Sequence, residues 1–260
     1  MYDFDPVEAR DMIVAGIHKI ARQGNFSKVV VGISGGKDST ITAALCVRAL
    51  GKENVYGVLL PDGIQEDIED SYWACDALGI QYTNINIADI YDAVINNAVV
   101  KNKERFNIEF SEVAAINIDP RIRMTVLRYI TQALGARLAG TGNLSEMTVG
   151  YCTKDGDTSC DFSVLGGLTS VEVVQVGLAM NEIPRELVLK TPSDGLSGMS
   201  DEEKLGVSYE DIHKYIRGLE GVPPEATKKI QELQKKSLHK RSFPRVAYRV
   251  DSYIWEDEPF

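Results

Sequence analysis

Six consecutive residues combine the small and charged side chains that bind phosphate in many proteins. The stretch SGGKDS spans Ser34–Ser39 and directly follows the strand-like run KVVVGI at 28–33. Gly35 and Gly36 let the backbone approach an anion closely, because neither residue has a Cβ atom. Successive N–H groups and the N-terminus of the next helix can then face phosphate oxygens. The sequence therefore predicts a phosphate-binding turn between a buried strand and a helix.

An aspartate at position 38 would repel a phosphate group unless a cation lay between them. Magnesium ions are commonly held by one or two carboxylates together with substrate phosphates, so Asp38 is a candidate metal ligand. The alternative is that Asp38 caps the N-terminus of the following helix. The turn is not a Walker A loop, because Val31 stands where that motif has its first glycine and Asp38 where it has Ser or Thr.

A second group of polar residues lies at 140–162, in the stretch GTGNLSEMTVGYCTKDGDTSCDF. It contains Glu146, Lys154, Asp157 and Asp161. A buried core has no need of so many closely spaced charges, because charged side chains are rarely buried without partners. Taken alone, the stretch fits a solvated loop. If it lies at the same edge of a sheet as the first turn, Glu146 can supply a second carboxylate for Mg²⁺.

Apolar runs of strand length alternate with helical patterns along the chain. Strands are predicted at 28–33, 54–60, 81–87 and 136–140. Helices are predicted at 5–23, 38–50, 65–78, 88–103, 121–134, 169–181, 208–217 and 224–238. This alternation predicts an α/β fold, with a doubly wound, mostly parallel sheet and helices on both faces. Ligands of such sheets bind at the carboxyl ends of the strands, so we expect the turns after Ile33 and Gly140 at one crevice.

The overall composition limits the partners of this chain. Its 260 residues carry a formal net charge of −10, which disfavours nucleic acid as a partner because backbone affinity comes from Lys and Arg. The first residues lack the basic start and apolar core of a signal peptide, and no apolar run approaches the roughly 18 residues of a membrane span. The four cysteines show no C-x-x-C spacing and are expected to be free thiols in a reducing compartment. We predict a cytoplasmic protein that binds neither nucleic acid nor membranes.

The SGGKDS turn resembles the signature loop of the ATP pyrophosphatase family, which splits ATP between the α and β phosphates. Further motifs narrow the resemblance to ammonia-dependent NAD synthetases: GTGNLSE followed by GYCTKDGD and DF, TPSDGLSGMSDEEKLGVSYEDI at 191–212, and HKRSFP at 239–244. The resemblance covers essentially the whole chain and implies a single domain at 1–260 with a Rossmann-like ATP pyrophosphatase fold. The segment 191–206 is similar to the mobile lid of that family, although its composition fits a surface loop equally well.

The resemblance also implies roles for individual residues. The positions that match ATP contacts are Gly32, Ile33, Ser34, Gly35, Gly36, Lys37, Asp38, Ser39, Thr141 and Ser193. The positions that match Mg²⁺ ligands are Asp38 and Glu146. The positions that match contacts to the second substrate, deamido-NAD, are Arg121, Lys154, Asp161, His239 and Lys240. Ser170 stands where many members carry an ATP-contacting lysine, so the resemblance does not extend to that phosphate contact.

The implied reaction is an amidation of deamido-NAD by ammonia. It uses ATP and Mg²⁺, passes through an acyl-adenylate and gives NAD, AMP and pyrophosphate. The catalytic candidates are Lys154 and Asp157. Asp157 matches an aspartate near the ammonia site, and our hypothesis is that it binds ammonium and then takes a proton. Lys154 either stabilises charge on the acyl oxygen or phosphate, or only positions a phosphate.

The resemblance further implies a homodimer with deamido-NAD sites at the subunit interface. Apolar stripes at 121–134 and 169–181 fit either the core or such an interface. Glutamine-using members of the family add a large amidase domain with its own cysteine nucleophile, and no such domain is predicted in these 260 residues. Free ammonia is therefore the expected nitrogen donor, and a separate glutaminase can supply it.

Two other interpretations of the first turn remain open. A tRNA thiolase would need paired cysteines and a basic face, which the sequence lacks, and the amination module of GMP synthetase is not expected to share GTGNLSE or HKR. A non-catalytic nucleotide sensor would be favoured by the loss of Asp38 or Glu146, and both residues are present. The residues 239–241, taken alone, also fit a solvated helix end.

Overall fold

The computed structural model describes residues 2–99, 101, 111–190 and 200–241. Its strands are β1 (Val29–Gly32), β2 (Val55–Leu59), β3 (Gln81–Asn84), β4 (Arg137–Gly140) and β5 (Phe162–Ser163). They form one sheet in the order β3-β2-β1-β4-β5, and every neighbouring pair is parallel. The predicted α/β fold with a doubly wound parallel sheet is confirmed.

The helices surround this sheet. They are α1 (Pro6–Gln23), α2 (Lys37–Leu50), α3 (Ile68–Leu78), α4 (Ala88–Asp92), α5 (Glu112–Ile116), α6 (Ile118–Ala133), α7 (Leu144–Val149), α8 (Ser170–Leu178), α9 (Arg185–Leu189), α10 (Asp201–Leu205), α11 (Tyr209–Arg217), α12 (Pro224–Lys236) and α13 (Leu238–Arg241). A 3₁₀ turn at Lys52–Asn54 precedes β2, and a π-helical stretch at Ala93–Val99 continues α4.

The structure corrects several of the predicted boundaries. Helix α3 begins at Ile68 instead of residue 65, and α6 begins at Ile118 instead of residue 121. The predicted helix at 88–103 changes to π geometry after Asp92, and its residues 100, 102 and 103 lie outside the described residues. Strand β5 and the five short helices α5, α7, α9, α10 and α13 were not predicted, because segments of two to six residues carry too little periodicity to be recognised.

The central strand explains why the sheet needs helices on both faces. Val29, Val30 and Val31 are fully buried, and consecutive side chains of a strand point to opposite faces. Val29 and Val31 pack with α1, α2 and α8 on one face, whereas Val30 packs with α6 on the other. Burial of each valine contributes about 1.5–3 kcal/mol. The apolar stripes predicted in the helices that became α6 and α8 pack in these two cores.

The strand order determines where a ligand crevice can form. The chain proceeds from β1 to β2 and β3 in one direction, then crosses over to β4 and β5 on the other side of β1. Such a reversal leaves a gap between the loops that follow the two central strands, here β1 and β4. The SGGKDS turn and the loop after Gly140 therefore flank one crevice, as the sequence predicted.

A third apolar cluster lies outside the sheet. It joins α7, α10, α11 and α12 through residues such as Val149, Leu205, Ile212 and Ile230. The cluster gives the short helices α7 and α10 the packing that their lengths cannot supply, because isolated helices of five or six residues are unstable. It also fixes Tyr209 near the crevice.

The remaining expectations concern thiols and membranes. All four cysteines are free, as predicted, and burial raises the pKa of both Cys46 and Cys75 to about 12. Within the ranges that the structure covers, no helix combines the length and the apolar character required to cross a membrane.

Candidate active site

The turn after β1 is closely packed against α3. Ile33 continues the strand pairing by donating its N–H to the Val58 carbonyl at 2.9 Å. Gly35 has φ +75°, and a Cβ atom at this position would lie 2.9 Å from Asp70 Cβ and 2.9 Å from Ser71 N. Both the conformation and the lack of space therefore require a glycine.

Hydrogen bonds within the turn hold it in shape. Ser39 Oγ accepts from Ser34 N at 3.2 Å and donates to the Gly36 carbonyl at 3.1 Å, and Gly36 N donates to Ser34 Oγ at 3.3 Å. Helix α2 has Gly36 as its N-cap and no side-chain cap. Its first N–H groups are therefore available to an anion, and the helix dipole favours negative charge there. This geometry suits a phosphate group.

Asp38 lies in the first turn of α2 and does not cap it, so the capping alternative is wrong. Its Oδ2 accepts from Lys37 Nζ at 2.5 Å, and its Oδ1 accepts from Asn143 Nδ2 at 3.1 Å. The carboxylate is thus turned from its own helix end toward the loop that follows β4.

Asn143 connects the two loops of the crevice. Its side chain is fully buried, and it is the N-cap of α7: Oδ1 accepts from Glu146 N at 3.1 Å, while Glu146 Oε2 accepts from Asn143 N at 2.9 Å. The same side chain donates to Asp38. Sequence reasoning missed Asn143, although N-x-x-E is the pattern of a reciprocal capping box.

The electrostatics of Glu146 are dominated by its burial and by the neighbouring carboxylate of Asp38. Burial, followed by the nearby charge of Asp38, raises the pKa of Glu146 to about 8, while the hydrogen bond from Asn143 N and the charge of Lys37 act in the opposite direction. Two carboxylates held together in this way favour a bound cation. In the described part of the chain, no three His, Cys, Asp or Glu residues are grouped to enclose a metal. Two carboxylates that leave positions open for phosphate oxygens fit Mg²⁺.

Lys37, within the turn, is packed against the ring of Tyr209. It is only 5% exposed, and its Nζ lies 5.9 Å from the centroid of the Tyr209 ring. Tyr209 donates its hydroxyl to Asp201 Oδ2 at 3.4 Å, and Tyr151 donates to Asp201 Oδ1 at 3.0 Å. Burial, followed by the charges of Glu146 and Asp201, raises the pKa of Tyr209, so its hydroxyl keeps its proton.

A cavity of about 360 Å³ opens next to Lys37. Ser170, Lys190 and Tyr209 also line it. Ser170 is 3% exposed and donates its backbone N–H to Ser145 Oγ at 3.1 Å. Ser170, the position at which the resemblance fails, therefore lines the same cavity as Lys37 of the phosphate turn.

The loop at 150–158 contains the predicted catalytic aspartate. Asp157 is open to solvent, and its Oδ1 accepts from Thr153 N at 2.6 Å. Desolvation by the surrounding protein atoms raises the pKa of Asp157 to about 6, and the hydrogen bond from Thr153 N and the charge of Lys240 only partly oppose this effect. Lys240 donates to the carbonyls of Gly150 at 2.9 Å and Cys152 at 2.7 Å.

The other predicted contacts to the second substrate divide into two groups. Arg121 donates to the Lys154 carbonyl at 3.2 Å, and the Lys154 ammonium lies 3.1 Å from Asp155 Oδ1. Arg121 on α6 and Lys240 on α13 thus both contact the backbone of the loop that carries Lys154 and Asp157, whereas His239 is exposed on α13.

Asp161 has structural partners instead of an open carboxylate. Its Oδ1 accepts from Arg128 at 2.5 Å and its Oδ2 accepts from Leu138 N at 2.7 Å. It therefore ties the segment before β5 to β4.

The structure describes only part of the predicted lid at 191–206 and of the C-terminal segment at 239–244. Thr141 follows β4 directly at the crevice, whereas Ser193 and the rest of 191–199 lie outside the described residues. The described end of the predicted lid is helical, because Ser200 and Glu203 form a capping box that starts α10. In the segment 239–244, residues 239–241 belong to α13 and 242–244 lie outside the described residues.

Comparison with known proteins identifies the family. The family model described as NAD synthase matches residues 10–244. The chain belongs to the NAD synthase family. It is therefore a ligase of NAD biosynthesis that forms a C–N bond.

Relatives within the NAD synthase family match nearly the whole chain. An NH(3)-dependent NAD(+) synthetase of Methanocaldococcus jannaschii is 36% identical over 256 residues, covering 91% of this chain and 96% of the relative. The corresponding protein of Archaeoglobus fulgidus is 38% identical over 238 residues, covering 89% and 92%.

Solved structures agree with this assignment and with the predicted fold. An NMN synthetase from Francisella tularensis has a TM-score of 0.85 at 28% identity, covering 94% of this chain and 99% of that chain. An NH3-dependent NAD synthetase from Campylobacter jejuni, solved with a nitrate ion, has a TM-score of 0.75 at 27% identity, covering 95% and 100%.

Proposed function

We propose that this NAD synthase family member uses ATP, Mg²⁺ and free ammonia to amidate deamido-NAD through an acyl-adenylate. The observation that carries the proposal is the hydrogen bond from Asn143 to Asp38, which holds two carboxylates beside a preorganised phosphate turn. The relatives are named NH(3)-dependent NAD(+) synthetases, which supports ammonia as the nitrogen donor. AMP and pyrophosphate are the expected by-products.

The chemistry follows from the poor reactivity of a carboxylate toward nucleophiles. A carboxylate oxygen of deamido-NAD attacks the α phosphorus of ATP, and the bond to the bridging oxygen of pyrophosphate breaks. The turn at 34–39 holds the departing pyrophosphate through N–H groups and Lys37. Asp38 and Glu146 would hold Mg²⁺, which neutralises negative charge on the phosphates when it is bound.

The second step makes the amide. Ammonia attacks the acyl carbon, and the C–O bond to AMP breaks. Asp157 binds the incoming ammonium and accepts a proton as ammonia is released to react. Its pKa of about 6 leaves the carboxylate mostly ionised at neutral pH and still basic enough to take a proton. Lys154 stabilises negative charge at the acyl oxygen or at the α phosphate.

Two acceptors share the carboxylate that is amidated: the dinucleotide deamido-NAD and nicotinate mononucleotide. The Francisella tularensis structure belongs to a protein called an NMN synthetase, which favours nicotinate mononucleotide as a second candidate. The amidated carboxylate is the same in both molecules, so the reaction is unchanged and only the acceptor contacts differ.

The quaternary structure and location are also part of the proposal. Val113 and Ile116 on α5 and Tyr129 on α6 are 71%, 48% and 76% exposed. We infer that these residues take part in a homodimer interface, because large exposed apolar patches mark protein–protein contacts. The protein then acts in the cytoplasm.

A direct assay tests this proposal. Purified protein is incubated with ATP, Mg²⁺, ammonium and either deamido-NAD or nicotinate mononucleotide, and the amide product, AMP and pyrophosphate are quantified. The proposed reaction yields one AMP and one pyrophosphate for each NAD formed. Exclusive use of the mononucleotide would favour the second acceptor. Nucleotide binding without turnover of either acceptor would favour a sensor.

A further inference from the structure

A second lysine lines the cavity beside the phosphate turn. Lys190 follows α9, and its Nζ lies 2.5 Å from Asp67 Oδ2 and 2.5 Å from Asp70 Oδ2. The cavity of about 360 Å³ extends between Lys190 and Lys37. The Lys190 side chain thus contacts two carboxylates and also lines the cavity.

This ion-pair cluster is adjacent to the turn itself. A Cβ atom on Gly35 would lie 2.9 Å from Asp70 Cβ, so Asp70 packs directly against the phosphate turn. Because Asp70 also contacts Lys190, a single side chain separates the Lys190 ammonium from Gly35. The cluster therefore lies directly beside the phosphate turn.

The two lysines of the cavity differ in their freedom to move. Lys37 is 5% exposed, packs by Tyr209 and contacts Asp38. Lys190 is 26% exposed and carries its charge on a flexible four-carbon stem. Burial acts to lower the pKa of Lys190, but the hydrogen bonds to Asp67 and Asp70 outweigh it and the net pKa is raised, so the ammonium stays charged at neutral pH.

The charge of the cluster opposes an incoming polyphosphate as long as the Lys190 ammonium stays between the two aspartates. Two carboxylates and one ammonium leave a net charge of −1 beside a site that must accept a polyanion. Ser170, on the wall of the same cavity, offers no positive charge. An ammonium that turns from the carboxylates to the phosphates would supply that charge.

We propose that Lys190 exchanges partners, binding Asp67 and Asp70 without nucleotide and the β and γ phosphates of ATP when nucleotide occupies the cavity. The inference rests on the proposed ATP-dependent function. It assigns a phosphate-binding residue that sequence reasoning did not select. The competing role is a fixed clamp that joins α3 to the end of α9, with no contact to substrate.

The two roles predict opposite effects of removing the carboxylates. If Lys190 exchanges partners, the Lys190→Met variant binds phosphate more weakly, while the double variant Asp67→Asn, Asp70→Asn binds it more tightly because the ammonium has lost its competing partners. If Lys190 is only a clamp, both variants lose the same ion pairs and change in the same direction.

Isothermal titration of the whole protein with Mg²⁺-pyrophosphate, and separately with AMP, tests this inference. We expect Lys190→Met to weaken Mg²⁺-pyrophosphate binding about tenfold or more, the loss typical of a charge-assisted hydrogen bond, and to leave AMP binding unchanged. Lys190→Arg should restore most of the affinity. The tightening in the Asp67→Asn, Asp70→Asn variant should disappear when Lys190→Met is added.

A remote ion pair provides the matched control for these variants. Arg48→Met removes a remote ion pair to Glu182 and should bind like the wild type. Thermal unfolding of each variant verifies that it is folded. Wild-type affinity in Lys190→Met, or tightening that persists without Lys190, would overturn the inference alone. A wild-type protein that binds neither Mg²⁺-pyrophosphate nor ATP would overturn both this inference and the proposed function.

Discussion

Asn143 Nδ2 donates a hydrogen bond to Asp38 Oδ1 over 3.1 Å, joining residues 105 positions apart in the sequence. One buried amide thereby fixes the distance between the loop after β1 and the loop after β4. Its remaining bond, from Glu146 N, orients the second carboxylate. The two candidate metal ligands are therefore positioned by the same side chain.

Replacing Asn143 by alanine should damage both the fold and the site. The variant leaves buried polar partners unsatisfied and removes a helix cap, so we expect a loss of about 1–3 kcal/mol in the free energy of unfolding. The apparent KM for Mg²⁺-ATP should also rise, because Asp38 and Glu146 lose their common support. Chemical denaturation and initial rates measure the two effects.

The N-cap of α5 provides a control that separates the effect on stability from the effect on the KM for Mg²⁺-ATP. Ser111→Ala removes the N-cap bond of α5, which Ser111 Oγ accepts from Ala114 N at 3.3 Å. This variant should lose stability with no change in KM for Mg²⁺-ATP. An Asn143→Ala enzyme with normal KM at a temperature where it is folded would show that the bridge does not position the metal ligands.

The raised pKa of Glu146 predicts a proton release on nucleotide binding. With a pKa of about 8, Glu146 is mostly protonated at pH 7 in the metal-free protein. A metal ligand must be ionised, so binding of Mg²⁺-ATP should release close to one proton at this pH. Calorimetry in buffers with different ionisation enthalpies counts the protons. Glu146→Gln should release none from this site.

The same pKa sets the pH dependence of stability without metal. The folded-state pKa lies above the ordinary value of 4.5, so the folded protein binds this proton more tightly than the unfolded chain. The stabilisation is complete below pH 4.5 and is lost as the pH rises through about 8. Glu146→Gln should therefore lose less stability than the wild type between pH 5 and 8. Parallel stability curves for the two proteins would argue against an unusual pKa.

Asp157 should control the use of ammonium below neutral pH. Its pKa of about 6 means that the carboxylate ionises as the pH rises from 5 to 7. The ratio of the KM for ammonium in Asp157→Asn to that in the wild type should rise through pH 6 and then level off. Taking the ratio cancels the equilibrium between ammonium and ammonia in solution, which is common to both enzymes.

An independent substrate provides the control for that measurement. The KM for Mg²⁺-ATP in Asp157→Asn should match the wild type at every pH, since Asp157 is proposed to contact only the nitrogen donor. A constant ammonium ratio from pH 5 to 7 would contradict the ammonium-binding role.

The exposed apolar residues of α5 and α6 should be required for formation of the proposed dimer. Charged substitutions Val113→Asp and Tyr129→Asp should convert the proposed dimer into a monomer, because a desolvated carboxylate is costly at an interface. Light scattering after size-exclusion chromatography measures the mass. Met12→Asp, at a 67% exposed apolar residue of α1, is the matched control and should leave the mass unchanged.

Local sequence signals predicted the parts of the fold that depend on neighbouring residues. The start of the helix predicted at 5–23 is an example: Asp5 Oδ1 accepts from Val7 N at 2.8 Å and Glu8 N at 3.2 Å and so caps α1. The strand-turn-helix unit around SGGKDS was likewise predicted, because glycine geometry and strand burial are encoded within a dozen residues.

Features that depend on distant partners could not be predicted in the same way. The contact of Asn143 with Asp38 requires the strand order that places β4 beside β1. The link of Lys190 to Asp67 requires α9 to pack near the start of α3. Asp161 is a further example, because its hydrogen bonds with Arg128 and with the Leu138 backbone depend on how α6 and β4 pack against the segment before β5.

The central claim is that the acceptor carboxylate is activated as an acyl-adenylate. The decisive measurement uses deamido-NAD labelled with ¹⁸O in its nicotinate carboxylate and follows the label by mass spectrometry. An acyl-adenylate places one ¹⁸O atom in AMP and one in the amide of NAD for each turnover. Label in inorganic phosphate with formation of ADP, or AMP without label, would contradict it.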